Sequence, residues 1–380
     1  MFNFGRENKG LLASWWRNID KTILILIILL FFFGLFFSFS STSSMVGEKL
    51  NKESYFLFLK HFLFVCIALI IIFFISIQRR ETIKKYLPYF FLASFLLLLL
   101  VPFIGVEIKG AKRWINLFFL PRFQPIEILK PFFVLISAQI ISSQLNYNLY
   151  KKYFYTFVLL LIISFLLIIQ PDFGQSVLLF SCWLIMIFSS GINFVILGMF
   201  FLICILILVS ILLIFPEKFA YIIFRLKTFV DPSKGENYQS ERALEAIRSG
   251  GFTGRGLGEG VLKNKVPEAH TDYILAVISE EFGVILILLI MTIFLFFSYK
   301  VLNKLLDEKD EYTKLILVGL ISLLMIQTFI HIGVNIRLLP TTGMTLPFIS
   351  YGGSSIVGSS ILAGLILNLT KKIPLNQDNL

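Results

Sequence analysis

Runs of about 20 apolar residues, broken by short polar stretches, dominate the 380-residue chain, and a helix of that length is what crosses a hydrocarbon core of ~30 Å. Counted this way, spans fall near 22–40, 55–77, 86–104, 126–143, 153–169, 174–190, 192–214, 272–298, 313–334 and 354–370. The pattern predicts an all-α polytopic membrane protein with about ten transmembrane helices in one domain, 1–380, interrupted by a long outer loop at 215–271 between helices 7 and 8. A 21-residue polar lead precedes the first span, longer than the basic start of a cleaved leader, so that span reads as a retained anchor. Leu11, Leu12, Trp15 and Trp16 beside Arg17 and Lys21 suit an interfacial helix ahead of it, or an aromatic belt on its flank.

Composition agrees with the pattern: 57% of residues are hydrophobic and 15% charged, against roughly 45–50% and 25% in soluble domains. Cys66, Cys182 and Cys204 lie inside apolar runs, an odd count with neither disulfide nor metal spacing, and read as small core residues. The net charge of +11 is scattered among loops rather than massed in one arm. It points to membrane orientation and an anionic lipid-linked partner, and away from nucleic acid. With the N-terminus inside, short inner loops would hold Arg6, Lys9, Arg17 and Lys21; Arg79, Arg80, Lys84 and Lys85; Lys151 and Lys152; Lys300, Lys304, Lys309 and Lys314; and Lys371 and Lys372. An even number of spans puts both termini on that side. The basic segment from Lys109 to Lys130 goes against the trend.

Four polar clusters would then share the outer side. In 105–130, Gly105 and Gly110 permit tight turns and Pro121 and Pro125 forbid a continuous helix, so Lys112, Arg113 and Trp114 belong to a re-entrant or interfacial segment. An arginine there can grip phosphate and a tryptophan can stack on a sugar, or the three can anchor the chain at the headgroups. Glu127 and Lys130, three apart, share a helix face as an ion pair or as substrate-orienting groups. The second cluster, 170–175, carries Asp172 in a Pro/Gly turn. The third, 248–283, carries Arg248, Arg255, His270 and Asp272; its GRGLG has no preceding strand to support a nucleotide site. Asp272 stands where the loop becomes a helix, either as an N-cap or as a carboxylate able to meet a sugar beside lipid. Glu280 and Glu281 would lie about 12–14 Å deeper on the same helix, facing the bundle interior. The fourth cluster, 335–355, holds Arg337 among prolines and glycines that rule out a straight span.

GAKRWI at 110–115, QPIE at 124–127, QPDFG at 170–174, PEAHTDYILAVISEEFG at 267–283 and LPTTGMTLPFISYGGSS at 339–355 together resemble the SEDS family (shape, elongation, division and sporulation). ALEAIRSGG at 243–251 and GRGLGEG at 254–260 resemble its division branch, the FtsW-like one, more than the elongation, RodA-like one. The resemblance implies a ten-span peptidoglycan glycosyltransferase that polymerises lipid II on the outer face of a bacterial inner membrane at the septum, with Asp272 as the catalytic carboxylate. It implies substrate roles for Glu127 and Lys130. A growing glycan strand, membrane lipid, a class B penicillin-binding transpeptidase and other division proteins would be its partners. Lys112, Arg113, Arg248 and Arg255 are candidates for the diphosphate. No metal cluster is visible, although a divalent cation, Mg or Mn, could share Asp272 with phosphate oxygens. QPIE departs from the commoner QPSE, and Thr342 stands where many division members carry lysine, so no role of that lysine carries over. A flippase for the same lipid-linked precursor, using Asp172, Glu280 and Glu281 as a polar path, is the alternative from another class, and a non-catalytic division scaffold is a third.

Overall fold

A computed structural model describes residues 11–42, 52–108, 110–116, 121–143, 148–214, 216–217, 219–230 and 238–371. Arg6, Lys9, Lys109 and Lys372 lie outside the described residues. The helices are α1 (Leu11–Asn18), α2 (Lys21–Thr42), α3 (Lys52–Ile77), α4 (Arg80–Ile104), α5 (Pro125–Ile141), α6 (Leu149–Ile169), α7 (Phe173–Ser189), α8 (Phe194–Ile214), α9 (Ala220–Val230), α10 (Tyr238–Gly250), α11 (Ile274–Asp307), α12 (Glu311–Asn335) and α13 (Gly353–Leu369). Each expected apolar run falls on one of them. Among the described residues seven helices are long and apolar enough to cross a membrane, while α7 and α13 are shorter apolar helices. The 17-residue α5 carries the Glu127–Lys130 pair inside an otherwise apolar helix.

Local chemistry fixes several boundaries. Pro125 opens α5 at its first turn, where a missing N–H costs nothing. Asp310 caps α12 by accepting from the Thr313 backbone N–H at 3.2 Å and from its hydroxyl at 2.7 Å. α1 lies ahead of the first long helix as expected: the Trp15 indole donates to Ser76 Oγ at 2.8 Å and Lys21 sits over the Trp16 ring. The core runs between α3, α5, α7, α12 and α13, filled by residues such as Phe133, Leu179, Leu320 and Ile366. α8 stays at the periphery with none of its apolar window buried, as a lipid-facing helix would.

Three expectations need correction. The segment after α4 is a β-hairpin, β1 (Val106–Ile108) and β2 (Ala111–Trp114), turning at Gly110 with φ 77° and prolonged by an Ile115–Phe123 bridge. Alternating V-E-I and A-K-R-W gives each strand two faces, and Glu107 stands opposite Lys112 across the ladder. Of the cysteines, only Cys182 is buried; Cys66 is exposed and Cys204 intermediate.

The third correction concerns α11, which is not one straight span over 272–298. It breaks at Gly283 (φ 77°, ψ 177°) and continues to Asp307. The loop 250–256 takes up the backbone groups freed there: Val284 N–H donates to Gly251 O, Ile285 N–H to Phe252 O, Arg255 N–H to Glu280 O and Gly256 N–H to Glu281 O, at 2.9–3.3 Å. Apolar counting is blind to such a break, because a loop has supplied the partners that lipid cannot. Beyond the break the helix runs antiparallel to α2, with Lys304 3.5 Å from Asp20 at one end and Ser40 bonded to Glu281 at the other. Glu281 is therefore level with the end of α2 and not deep in the bundle.

Gly283→Ala should lower the melting temperature of the detergent-solubilised protein. Positive φ with an extended ψ is a region open essentially only to glycine and costs a side chain about 1–3 kcal/mol, and the new Cβ would stand 2.1 Å from Phe252 O. An unchanged melting curve would show that the break is not held by this contact.

Candidate active site

At the end of the bundle marked by Ser40 and Asn335, the hairpin, the 170–172 turn, α9, the 270–272 turn and the loop 336–352 come together. Arg113 on β2 donates from Nε to Gln170 O at 3.2 Å and from Nη2 to Pro171 O, and its Nη1 is 3.6 Å from Asp172 Oδ1. Asp172 Oδ2 accepts from Gln124 at 2.8 Å. Burial pushes the Asp172 carboxyl above its ordinary range, and the Arg113 charge opposes that rise. The first two polar clusters thus form one unit, with Arg113 clamped over the turn.

Asp272 precedes α11, whose N-cap position belongs to Tyr273, without a side-chain cap. Three consecutive carbonyls hold the turn in place. His270 O accepts from Tyr351 N–H at 3.0 Å, Thr271 O from Ser350 Oγ at 2.7 Å, and Asp272 O from Asn335 Nδ2 at 3.0 Å. The main chain is therefore fixed while Asp272 itself stays half-exposed. Gly343, at φ 77°, lies near it and the arginine: a Cβ there would stand 3.7 Å from both Asp272 Oδ2 and Arg113 Nη1. The carboxylate and the guanidinium thus both approach the same glycine.

The remaining sequence candidates spread around this centre. His270 is half-buried, and burial lowers its proton affinity, with Lys263 adding to the effect and Glu268 opposing it. Trp114 is half-buried on the hairpin and Lys112 is exposed. Glu127 and Lys130 pair at 2.8 Å, both buried; Gln175 donates to Glu127 at 2.7 Å and Lys130 to Gln327 at 2.9 Å. Gln327 lies eight residues before Asn335 on α12, about 12 Å farther into the bundle by helix rise, so this pair forms a layer beneath the carboxylate. Arg248 and Arg255 are exposed beside the Gly283 break, at the far end of the helical stretch that starts next to Asp272. Arg337 lies 3.8 Å from Glu241 on α10.

Glu280 and Glu281 are buried and engaged. Glu280 accepts from the Leu262 and Lys263 backbone N–H groups at 2.8 and 2.7 Å; Glu281 takes the Gly258 N–H, the Ser40 hydroxyl and the Lys263 ammonium. They clasp the glycine-rich loop to α2 and α11 and leave no carboxylate pair standing open as a transport path.

Sequence reasoning passed over Arg225, Lys263 and Asn335. Arg225 on α9 is half-buried, donates to Thr341 O at 3.0 Å and feels the charges of Arg113 and Asp172. A single arginine within the apolar stretch 219–226 was the available signal.

The family model of the FtsW/RodA/SpoVE cell cycle proteins matches residues 20–373. This chain belongs to that family. Among FtsW/RodA/SpoVE relatives, a probable peptidoglycan glycosyltransferase FtsW from Caulobacter vibrioides is 32% identical over 98% of this chain and 94% of its own. A protein of the same name from Nitrosomonas europaea is 37% identical over 72% of each. In fold, this family member is similar to a chain of a peptidoglycan synthase complex solved to show how polymerisation and crosslinking are coordinated (TM-score 0.76, 22% identity, 93% of this chain and 97% of that one). It is also similar to the rod shape determining protein RodA of Thermus thermophilus (TM-score 0.68, 24% identity, 93% and 97%). The polytopic helical architecture expected from the apolar runs is the architecture of the family.

Proposed function

We propose that this protein is a division-type peptidoglycan glycosyltransferase that polymerises lipid II into glycan strands and releases undecaprenyl diphosphate. One observation carries the reading: the Asp272 carboxylate and the Arg113 guanidinium both come close to Gly343, at the end of the bundle where the polar clusters meet. The names of its relatives support the same activity.

Chain growth joins the 4-hydroxyl of one lipid-linked sugar to the anomeric carbon of another. Asp272 accepts the hydroxyl proton as the new C–O bond forms; the bond from the anomeric carbon to the diphosphate breaks, and its electron pair leaves with the diphosphate. A fixed cation near the departing oxygens stabilises the charge developing there. Arg113, locked by the 170–172 turn, stands closest to that role, and Lys112 on the same strand can add to the field. Among the described residues no three His, Cys, Asp or Glu side chains gather as a metal cage. Asp272 is the side chain that would hold a divalent cation, which would supply positive charge for the diphosphate.

The end of the bundle opposite the site carries Arg79, Arg80, Lys84, Lys85, Lys151, Lys152, Lys304, Lys309 and Lys314. This charge bias supports a cytoplasmic assignment for that end and an outward-facing site in the inner membrane, with the septum as its place of action. The synthase complex that shares the fold supports a crosslinking transpeptidase of the class B penicillin-binding kind as partner.

Reconstitution tests the reading. Purified protein given lipid II should make glycan polymer without any soluble polymerase. Movement of lipid II headgroups across the bilayer with no polymer would replace the enzyme with a flippase.

A further inference from the structure

A second basic recess lies beside the site. Arg225 on α9, Arg337 and Thr341 in the loop 336–352, and Thr228 and Ser240 from α9 and α10 line it together. Arg225 spends one N–H on Thr341 O at 3.0 Å. Arg337 is held with φ 59°, a left-handed conformation unfavourable for a non-glycine residue that persists where the surroundings impose it. Its neighbour Glu241 Oε1 is 3.8 Å away, too far for a hydrogen bond, and that side chain is 46% exposed. Two guanidiniums thus line one recess, Arg337 beside the loosely placed Glu241 and Arg225 within reach of the Asp172 and Arg113 charges. Planar guanidiniums that line one recess suit the oxygens of a phosphate or diphosphate.

The chemistry of the proposed reaction says which diphosphate. Two lipid-linked sugars react, so two diphosphates are present at once. The leaving diphosphate is bonded to the attacked carbon and must lie next to the base, where Arg113 and Asp272 both approach Gly343. The diphosphate of the other lipid, whose sugar supplies the attacking hydroxyl, stays attached and lies a disaccharide's length from the base. Thr341 is two residues from Gly343, and neither Asp272 nor Arg113 lines the recess. We infer that Arg225 and Arg337 form the diphosphate subsite for the acceptor lipid, separate from the leaving-group subsite at Arg113. This inference rests on the glycosyltransferase reading above.

Counting binding sites tests it. The full-length protein in nanodiscs is titrated with undecaprenyl diphosphate, and the variants Arg337→Gln, Arg225→Gln and Glu241→Gln are compared with wild type after each co-elutes with it on size exclusion. Wild type should bind two molecules per chain and R337Q one, with the lysine variant R337K regaining part of the second site. E241Q, which removes the competing carboxylate, should bind the second molecule several-fold more tightly. A single site on wild type, or two sites that both survive R337Q, overturns the subsite. Displacement of the second molecule by excess phosphatidylglycerol also overturns it and assigns the recess to bulk anionic lipid. The same preparations are assayed with lipid II: no polymer from wild type defeats the enzymatic reading, whereas polymer alongside an unaltered R337Q stoichiometry defeats the subsite alone.

Discussion

Asp272→Asn should abolish glycan polymerisation by the purified protein while leaving its folding intact. The substitution keeps the size of the side chain and removes its capacity to accept a proton. General-base assistance is worth about 10²- to 10⁴-fold in rate, so turnover should fall by at least the lower figure. Folding should survive because the carbonyls of His270, Thr271 and Asp272 still meet Tyr351, Ser350 and Asn335. The check is polymer length and initial rate from lipid II, beside a melting curve. Polymer made at the wild-type rate by the asparagine variant removes Asp272 from the chemistry.

The second large effect is expected from Lys263→Met. Lys263 and Glu281 form an ion pair with both side chains almost fully shielded, and Lys263 Nζ also donates to Ser40 O at 3.1 Å. Removing one partner leaves a buried carboxylate with an uncompensated charge, a loss of about 3–5 kcal/mol in comparable cases. The melting temperature in detergent should drop, and proteolysis should begin within the loop 250–263. Pairing Lys263→Met with Glu281→Gln should recover much of the loss, because the second change removes the stranded charge. If the single variant melts with wild type, the pair contributes nothing to stability.

Much of this molecule is legible in the sequence because a bilayer admits few solutions. Twenty apolar residues in a row have little to become except a helix, so runs such as 153–169 and 313–334 fall on α6 and α12 within a few residues. The site was legible as clusters: polar residues in so apolar a chain stand out, and those at 110–115, 170–175, 267–272 and 335–355 do meet at one end. What stayed hidden was whatever depends on which backbone group meets which. The hairpin at 106–114 is too short for its alternation to register as strands. The break at Gly283 looks like any glycine in an apolar helix until loop 250–256 is seen bonded across it. Arg248 and Arg255 sit in the most polar stretch and so drew notice, yet they flank the break. Arg225 lies in an apolar stretch and reaches the neighbourhood of Arg113 and Asp172.

The interruption at Gly283 turns Ile274–Phe282 into a short strut fastened at both ends: at its start by Asn335, Ser350 and Tyr351, and at its finish by the Lys263 clasp and the end of α2. The aim of the carboxylate proposed as the base is consequently set by fastenings outside its own side chain. Substitutions at those anchor points would surface as lost turnover in a protein that still gathers its substrates.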